Sequence, residues 1–516
     1  MTGQPLPTTL GQLLAELTFA PELRDVDPAT PVRAVTLDSR RATAGTLFAA
    51  LPGARAHGAT FAGQAIAAGA CAVLTDPAGL EHLPAQAPAL VVPDVRAALG
   101  EVSACLLGQP AQALTTFGVT GTNGKTTTTF LLDHVLRSMG WRTGLIGTVE
   151  NRVGDVALAS TLTTPESPDL QGWLAQMRDA DVDMLSMEVS SHALALRRVD
   201  GVTFDVVGFT NLSQDHLDFH GDLEGYFGTK ADLFTSARAR RGVVVIDDPW
   251  GRRLATEAQI PVATLSTTGE DADWVVSEVA PGVVGSAFLL SHRDGRTVRT
   301  SVTLPGPFNV ANAALALAMV LEGGADVRDL VAALGDGIDA RVPGRMEVVA
   351  TAPRVVVDFA HNAEALELAL TALRATTPGR LIVVFGATGD RDAGKRPVMG
   401  RVAATHADVA VVTDDDPHGE DPAAVRREVL AGTTGIDDAR ATVHEVAPRQ
   451  DAIARAVAMA GPEDTVLVAG RGHETIQEVA GVDLPLDDRV VARSAAARWH
   501  DDHAAAVATS PEHEEP

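Results

Sequence analysis

The sequence predicts an α/β protein built of three domains. Short runs rich in Val, Ile, Leu and Phe alternate with amphipathic segments of helical period, the pattern of parallel strands joined by crossover helices. Polar clusters follow many of those runs. Two stretches rich in Pro, Gly and small polar residues, Gly108 to Ala113 and Ile338 to Arg345, interrupt the apolar periodicity. At 516 residues the chain is also too long for one hydrophobic core. The breaks predict domains over residues 1–112, 113–343 and 344–502, followed by a solvated acidic tail, 503–516, that ends SPEHEEP.

Composition narrows the function. The formal charge of -26, from 41 basic and 67 acidic side chains, opposes binding to a phosphate backbone, and no run of Lys and Arg offsets it, so no nucleic-acid partner is expected. No uninterrupted apolar stretch reaches membrane-spanning length, and MTGQPLPTTLGQLLAEL has no secretion-signal pattern, so a cytoplasmic protein is expected. Cys71 and Cys105 form no CxxC pair and read as core thiols.

Taken in chain order, seven apolar runs each end in a polar cluster. TTFGV leads into TGTNGKTT, DMLSM into EVSSH, DVVGF into TNLSQDH, and RVVVD into FAHN; RLIVV leads into FGATGDRD, ADVAVV into TDDDPHGED, and TVLVA into GRGHE. Ligands of open parallel sheets bind beyond the carboxyl ends of the strands, so these clusters read as site residues. They fall in the middle and last thirds, which predicts two lobes facing one cleft.

The first cluster is a variant phosphate loop. The common spelling needs a glycine where this chain has Val119, yet the working parts are present. A strand at Leu114 to Val119 runs into Gly121 and Gly124, whose freedom permits a tight turn, and a helix follows with Leu131, Leu132, Val135, Leu136 and Met139 on one face. Backbone N–H groups of Gly121, Thr122, Asn123 and Gly124 suit a phosphate chain at a helix N-terminus. Lys125 suits the terminal phosphates, Thr126 suits Mg²⁺, and Thr127 completes the run.

TGTNGKTT, together with TLDSR, TLTTPES, MEVSSHAL, TNLSQDHLDFHG, PGPFNVANA, GDRDAGKRP and GRGHE, resembles the Mur ligase family, ATP-dependent amide-forming enzymes of peptidoglycan precursor synthesis. The motif set is most similar to the branch that adds the third residue. The resemblance implies an N-terminal nucleotide-sugar-binding α/β domain, a central P-loop ATPase-like parallel-sheet domain and a C-terminal Rossmann-like, amino-acid-binding domain. It also implies an ATP-dependent ligase that activates the D-glutamate carboxylate of UDP-N-acetylmuramoyl-L-alanyl-D-glutamate as an acyl phosphate and transfers it to a diamino acid. Small-molecule substrates are then the only partners called for, and a monomer is expected. A folylpolyglutamate synthetase is the more distant alternative, disfavoured because a folate enzyme would not need the first third.

The same resemblance assigns roles by position. Lys125, Glu188, His216 and Lys230 carry the catalytic centre, with Thr126, Glu188, His216 and Lys230 at two Mg²⁺ ions and Lys230 carbamylated by CO₂. Asn312 is read as a nucleotide contact, although it and Asn309 suit a helix cap equally, and Arg345 and Asp358 close over ATP. FAHNAE departs from the family's more usual YAHTPD. Leu37 and Ser39 meet the uracil, while Thr163, Thr164, Ser190 and Arg198 hold the muramoyl dipeptide. The family often has a Gln near Arg198, where this chain has Leu196 and Arg197, so one substrate hydrogen bond is expected to be missing or rerouted.

The incoming amino acid is assigned to Arg391, to the segment Asp415, Asp416, Pro417 and His418, and to Gly470 and Glu474. Enzymes of the family that add meso-2,6-diaminopimelate typically read DNPR where this chain reads DDPH. An added anion and a lost permanent cation suit a distal ammonium better than a distal carboxylate, so L-lysine or L-ornithine is expected ahead of meso-2,6-diaminopimelate.

Overall fold

The computed structural model describes residues 8–53, 55–282, 285–390 and 392–509. The chain forms two compact units, one of residues 1–276, 291–297 and 314–335, the other of 277–290, 298–313 and 336–516.

Besides the short antiparallel pair Thr8–Thr9 and Pro31–Val32, the first unit holds strands of two larger sheets. In the smaller, Ala34–Thr36, Thr46–Ala49, Ala70–Thr75 and Ala89–Val91 lie parallel in that order, and Glu22–Arg24 closes the edge antiparallel to Ala89–Val91. Leu47, Leu74, Leu90, Leu99 and Val102 pack on one face of it and Phe48, Val73 and Ala62 on the other. The larger sheet centres on Thr115–Thr120, which lies parallel between Met184–Glu188 and Phe204–Phe209. Thr143–Ile146 extends it parallel on one side, and Ala239–Val245 and Val262–Ser266 extend it on the other. Its far edge was not foreseen: Glu150–Val153 and Val156–Ala159 return antiparallel as a meander, so this sheet is mixed.

The second unit carries a six-stranded sheet in the order Glu347–Thr351, Arg354–Asp358, Thr465–Ala469, Leu381–Phe385, Val409–Val412, Thr442–Glu445, with only the first strand antiparallel. Alternate residues of each central strand serve opposite faces. Val356, Val383, Ala410 and Leu467 meet the helices Ala363–Arg374 and Lys395–His406, whereas Val355, Val384, Val411 and Val466 meet Arg449–Ala458 and the final helix. Burial of both faces explains why these strands read as continuous apolar runs rather than alternating ones. The final helix spans Asp488–Thr509 and so includes the first residues of the stretch expected to be a tail; 510–516 lie outside the described residues.

Candidate active site

All seven apolar runs form parallel strands, and their polar clusters stand at the carboxyl ends. At the end of Thr115–Thr120 the chain turns through Gly121, with φ +147°, and Gly124, with φ +90°, into the helix Lys125–Ser138. A Cβ at Gly121 would collide with the Thr210 hydroxyl, so the turn needs glycine for space as well as for dihedral freedom. The helix seats Leu131, Leu132, Val135 and Leu136 in the core as its period predicts. Asn211 braces the loop: its carbonyl accepts from Thr122 N–H at 2.9 Å and its side-chain oxygen from Asn123 N–H at 3.0 Å.

Two lysines share one carbonyl there. Lys125 Nζ donates to Gly121 O at 2.9 Å and to Thr122 O at 2.8 Å, while Lys230 Nζ donates to Gly121 O at 2.7 Å and lies 4.4 Å from the centre of the Tyr226 ring. Lys230 is 1% exposed. Burial holds its ammonium well below the ordinary lysine range, and the Lys125 charge adds to the effect, with Asp215 opposing. Beside them Thr126 Oγ1 donates to Glu188 Oε2 at 2.9 Å, joining two of the expected metal donors. These hard oxygens fit Mg²⁺; the unmodified Lys230 amine does not. Among the described residues, no group of three or more His, Cys, Asp and Glu is arranged to hold a metal ion.

His216 adopts φ +52° and packs its ring 4.8 Å from that of His192. Its pKa is pushed down to about 4, chiefly by burial; Asp215 opposes the shift, and His192, Lys125 and Lys230 add to it.

The residues expected at the sugar and peptide end also lie in the first unit. Ser39 is buried and donates to Gln64 Oε1 at 3.1 Å, and Leu37 is half-buried. Thr164 Oγ1 donates to the Glu188 carbonyl at 2.8 Å and accepts from Ser190 N–H at 3.1 Å, while Ser190 Oγ caps the short helix Ser191–Ala195. Arg198 Nε donates to Glu166 Oε1 at 2.8 Å. That pairing aims its guanidinium but leaves it partly satisfied before any substrate binds.

In the second unit, Asn309 bonds the Pro305 carbonyl at 2.8 Å and accepts from Asn312 at 3.2 Å. Arg345 sits 4.2 Å over the Phe359 ring. Asp358 accepts Met346 N–H at 2.6 Å, and burial pushes its carboxyl up against the opposing Arg345 charge. Phe359, part of the atypical FAHN spelling, thus acts as a platform for Arg345.

The amine end differs most from expectation. Arg391 lies outside the described residues. Asp416 does not face a ligand as an unopposed anion: Arg471, fully buried, pairs with Asp416 Oδ1 and also bonds Ile476 O at 2.5 Å. Burial still pushes the Asp416 carboxyl up. His418, at φ +47°, has its Nδ1 2.8 Å from Glu478 Oε2, and its backbone bonds the hairpin of Ile476–Val479 and Val482–Pro485 through Glu478 O and Ala480 N–H. Asp415 is buried, and among the described residues its Oδ2 has no hydrogen-bond partner; a Cβ at Gly470 would overlap that oxygen. Pro417 is buried and accepts from Glu420 N–H at 3.0 Å. Glu474 is pushed up to about 8, first by burial and then by Asp415, with Arg471 opposing. Sequence reading missed Arg471 and Glu478. Arg471 sits inside the GRGHE cluster, whereas Glu478 carried no local signal.

A strand-end phosphate loop with paired lysines and a Thr–Glu oxygen pair defines a nucleotide-dependent phosphoryl-transfer enzyme. The comparisons narrow that class. Residues 31–105 match the Mur ligase family catalytic domain, 119–320 the Mur ligase middle domain, and 344–472 the Mur ligase glutamate ligase domain. A Streptomyces coelicolor protein called UDP-N-acetylmuramoyl-L-alanyl-D-glutamate--2,6-diaminopimelate ligase is 47% identical over 96% of this chain and 98% of its own. A Leifsonia xyli UDP-N-acetylmuramyl-tripeptide synthetase is 44% identical over 95% and 96%. A solved 2,6-diaminopimelate ligase shares 32% identity at a TM-score of 0.67, covering 96% of this chain and all of the other. Escherichia coli FolC, 22% identical at a TM-score of 0.56, shares the fold. This chain belongs to the Mur ligase family, the ATP-dependent ligases of peptidoglycan synthesis. Among its described residues no helix is long and apolar enough to cross a membrane.

Proposed function

We propose that this ligase joins a diamino acid to the D-glutamate γ-carboxylate of UDP-N-acetylmuramoyl-L-alanyl-D-glutamate, acting as a cytoplasmic monomer. The observation that carries the reading is the convergence of Lys125, Lys230, Thr126 and Glu188 at one strand end. A carboxylate oxygen of the substrate attacks the γ-phosphorus of ATP and ADP leaves; the amine nitrogen then attacks the acyl carbon, phosphate leaves and the nitrogen loses a proton. Lys125, now resting on the Gly121 and Thr122 carbonyls, exchanges them for terminal phosphate oxygens. Thr126 and Glu188 would hold one Mg²⁺ and His216 would join at a second, and the ions would supply positive charge to offset that on the transferring group. Lys230 has the burial and depressed pKa that a carbamate needs: its neutral amine adds to CO₂ with loss of a proton, turning a cation into an acidic oxygen ligand.

For the amine, the relatives called 2,6-diaminopimelate ligases support meso-2,6-diaminopimelate. The Arg471–Asp416 pair supports it too, because it cancels the anion on which the expectation of lysine or ornithine rested. One observation favours lysine or ornithine as a second reading: Asp415, Glu474 and Glu478 give this end an acidic lining with His418 in place of arginine. Product mass after offering meso-2,6-diaminopimelate, lysine and ornithine together with ATP, Mg²⁺ and the muramoyl dipeptide tests both. Phosphate release that needs no amine would overturn the ligase reading of this substrate.

A further inference from the structure

Glu188 is braced by a segment that no motif marks. Thr143–Ile146 runs parallel to Met184–Glu188 with Ile146 opposite Met187, which carries Gly147 and Thr148 alongside the Glu188 carboxylate. Thr148 N–H donates to Glu188 Oε1 at 2.7 Å, and its hydroxyl lies 3.1 Å from Oε2, the oxygen that also accepts from Thr126. A Cβ at Gly147 would overlap Oε1, so only glycine lets the carboxylate lie against this backbone. The Thr148 hydroxyl is also 3.0 Å from that of Thr163. A hydroxyl has one proton to give, and that of Thr148 faces two acceptors, Glu188 Oε2 and Thr163 Oγ1, so the carboxylate and the Thr163 loop compete for it. The next residue, Thr164, binds the Glu188 carbonyl. Side chain and backbone of one strand end are therefore tied to the two threonines assigned to the muramoyl dipeptide.

We infer that Thr148 is a positioning residue: it aims Glu188 at Thr126 and transmits the state of the Thr163–Thr164 loop to the Mg²⁺-nucleotide site, so that dipeptide and Mg²⁺-nucleotide bind cooperatively. The inference rests on the roles proposed above for Glu188, Thr163 and Thr164. Its physical basis is that a carboxylate with two bonds to one residue has a single aim, and that coupling between two sites is reciprocal. Among the described residues, loss of the hydroxyl leaves Glu188 only the Thr148 N–H and the Thr126 hydroxyl to set its direction.

Binding of a fluorescent ADP to the full chain, with and without Mg²⁺ and with and without the muramoyl dipeptide, separates these effects without turnover. Thr148→Val is expected to weaken Mg²⁺-ADP about tenfold, in the range for loss of a partner behind a metal ligand, while ADP without Mg²⁺ changes less than about twofold. The dipeptide's enhancement of Mg²⁺-ADP binding should vanish in that variant. Thr148→Ser, which keeps the hydroxyl, should restore both. Equal weakening of ADP with and without Mg²⁺, intact coupling in Thr148→Val, or failure of Thr148→Ser to restore binding would each overturn the role of Thr148. A wild-type protein whose ADP affinity ignores Mg²⁺ would instead overturn the reading of Glu188 as a metal residue, and this inference with it.

Discussion

The phosphate-loop cluster of the first unit and the amine-end cluster of the second both hold cations wholly or partly out of water, and they do so by different means. Lys125 and Lys230 rest on main-chain carbonyls. Arg471 is locked to the Asp416 carboxylate, and Arg449, equally buried, to Asp488 at 2.7 Å. A carbonyl dipole yields readily to a polyanion, so on the proposed reading Lys125 can re-aim when phosphate arrives, while Lys230 is left in a setting that favours its neutral amine. A buried ion pair does not yield, because parting it strands a charge away from water. On the proposed reading the first arrangement is a receptor for charge, and the second is scaffold that sets which charges remain for a substrate to meet.

Substitutions at each end sharpen the contrast. Lys125→Ala should lower kcat about 10³-fold with the fold retained, read by phosphate release and circular dichroism, because it removes a cation from the transferring phosphoryl group. Arg471→Ala should act on stability instead, by about 3 kcal/mol in denaturant unfolding, since the half-buried Asp416 loses its charge partner and a buried anchor of Ile476 O is removed. If Arg471→Ala unfolds like wild type, the scaffold reading of the amine end is wrong. Lys230→Ala should reduce turnover about 10²-fold, with partial recovery in added short carboxylic acids that replace the carbamate oxygens; full activity of that variant would eliminate the carbamate.

Smaller effects probe the amine end alone. His418→Arg should shift competition products towards meso-2,6-diaminopimelate by about tenfold over lysine, because a permanent, forked donor replaces imidazole. Glu474, raised from 4.5 to about 8, contributes stability that is fully present below pH 4.5 and lost as pH rises through 8. Glu474→Gln should therefore gain on wild type in thermal midpoint across that window, by only about 1–3 °C given that the side chain is 35% exposed. A difference between the two proteins that does not change with pH would refute the shift.

The amine end shows where a local reading stops short. DDPH reads as an added anion, yet the partner of Asp416 lies 55 residues away at Arg471, beyond the reach of any spacing rule. Glu478 escapes for the same reason, brought to His418 by a hairpin whose strands carry no functional motif. The antiparallel meander from Glu150 to Ala159 was also unread, because its outer strand is exposed along its whole length and lacks the apolar run that betrays buried strands.

What the chain's own order determined was everything that rests on short-range chemistry: the α/β class from alternating runs, the phosphate loop from its glycines and lysine, and the strand-end position of all seven polar clusters, since parallel strands buried on both faces must be apolar and must end in loops. Tertiary structure alone decided which charges meet. Glu188 finds Thr148 across 40 residues and Lys230 finds Gly121 across 109, because hydrogen bonds and ion pairs act over a few ångströms in space and take no account of distance along the chain.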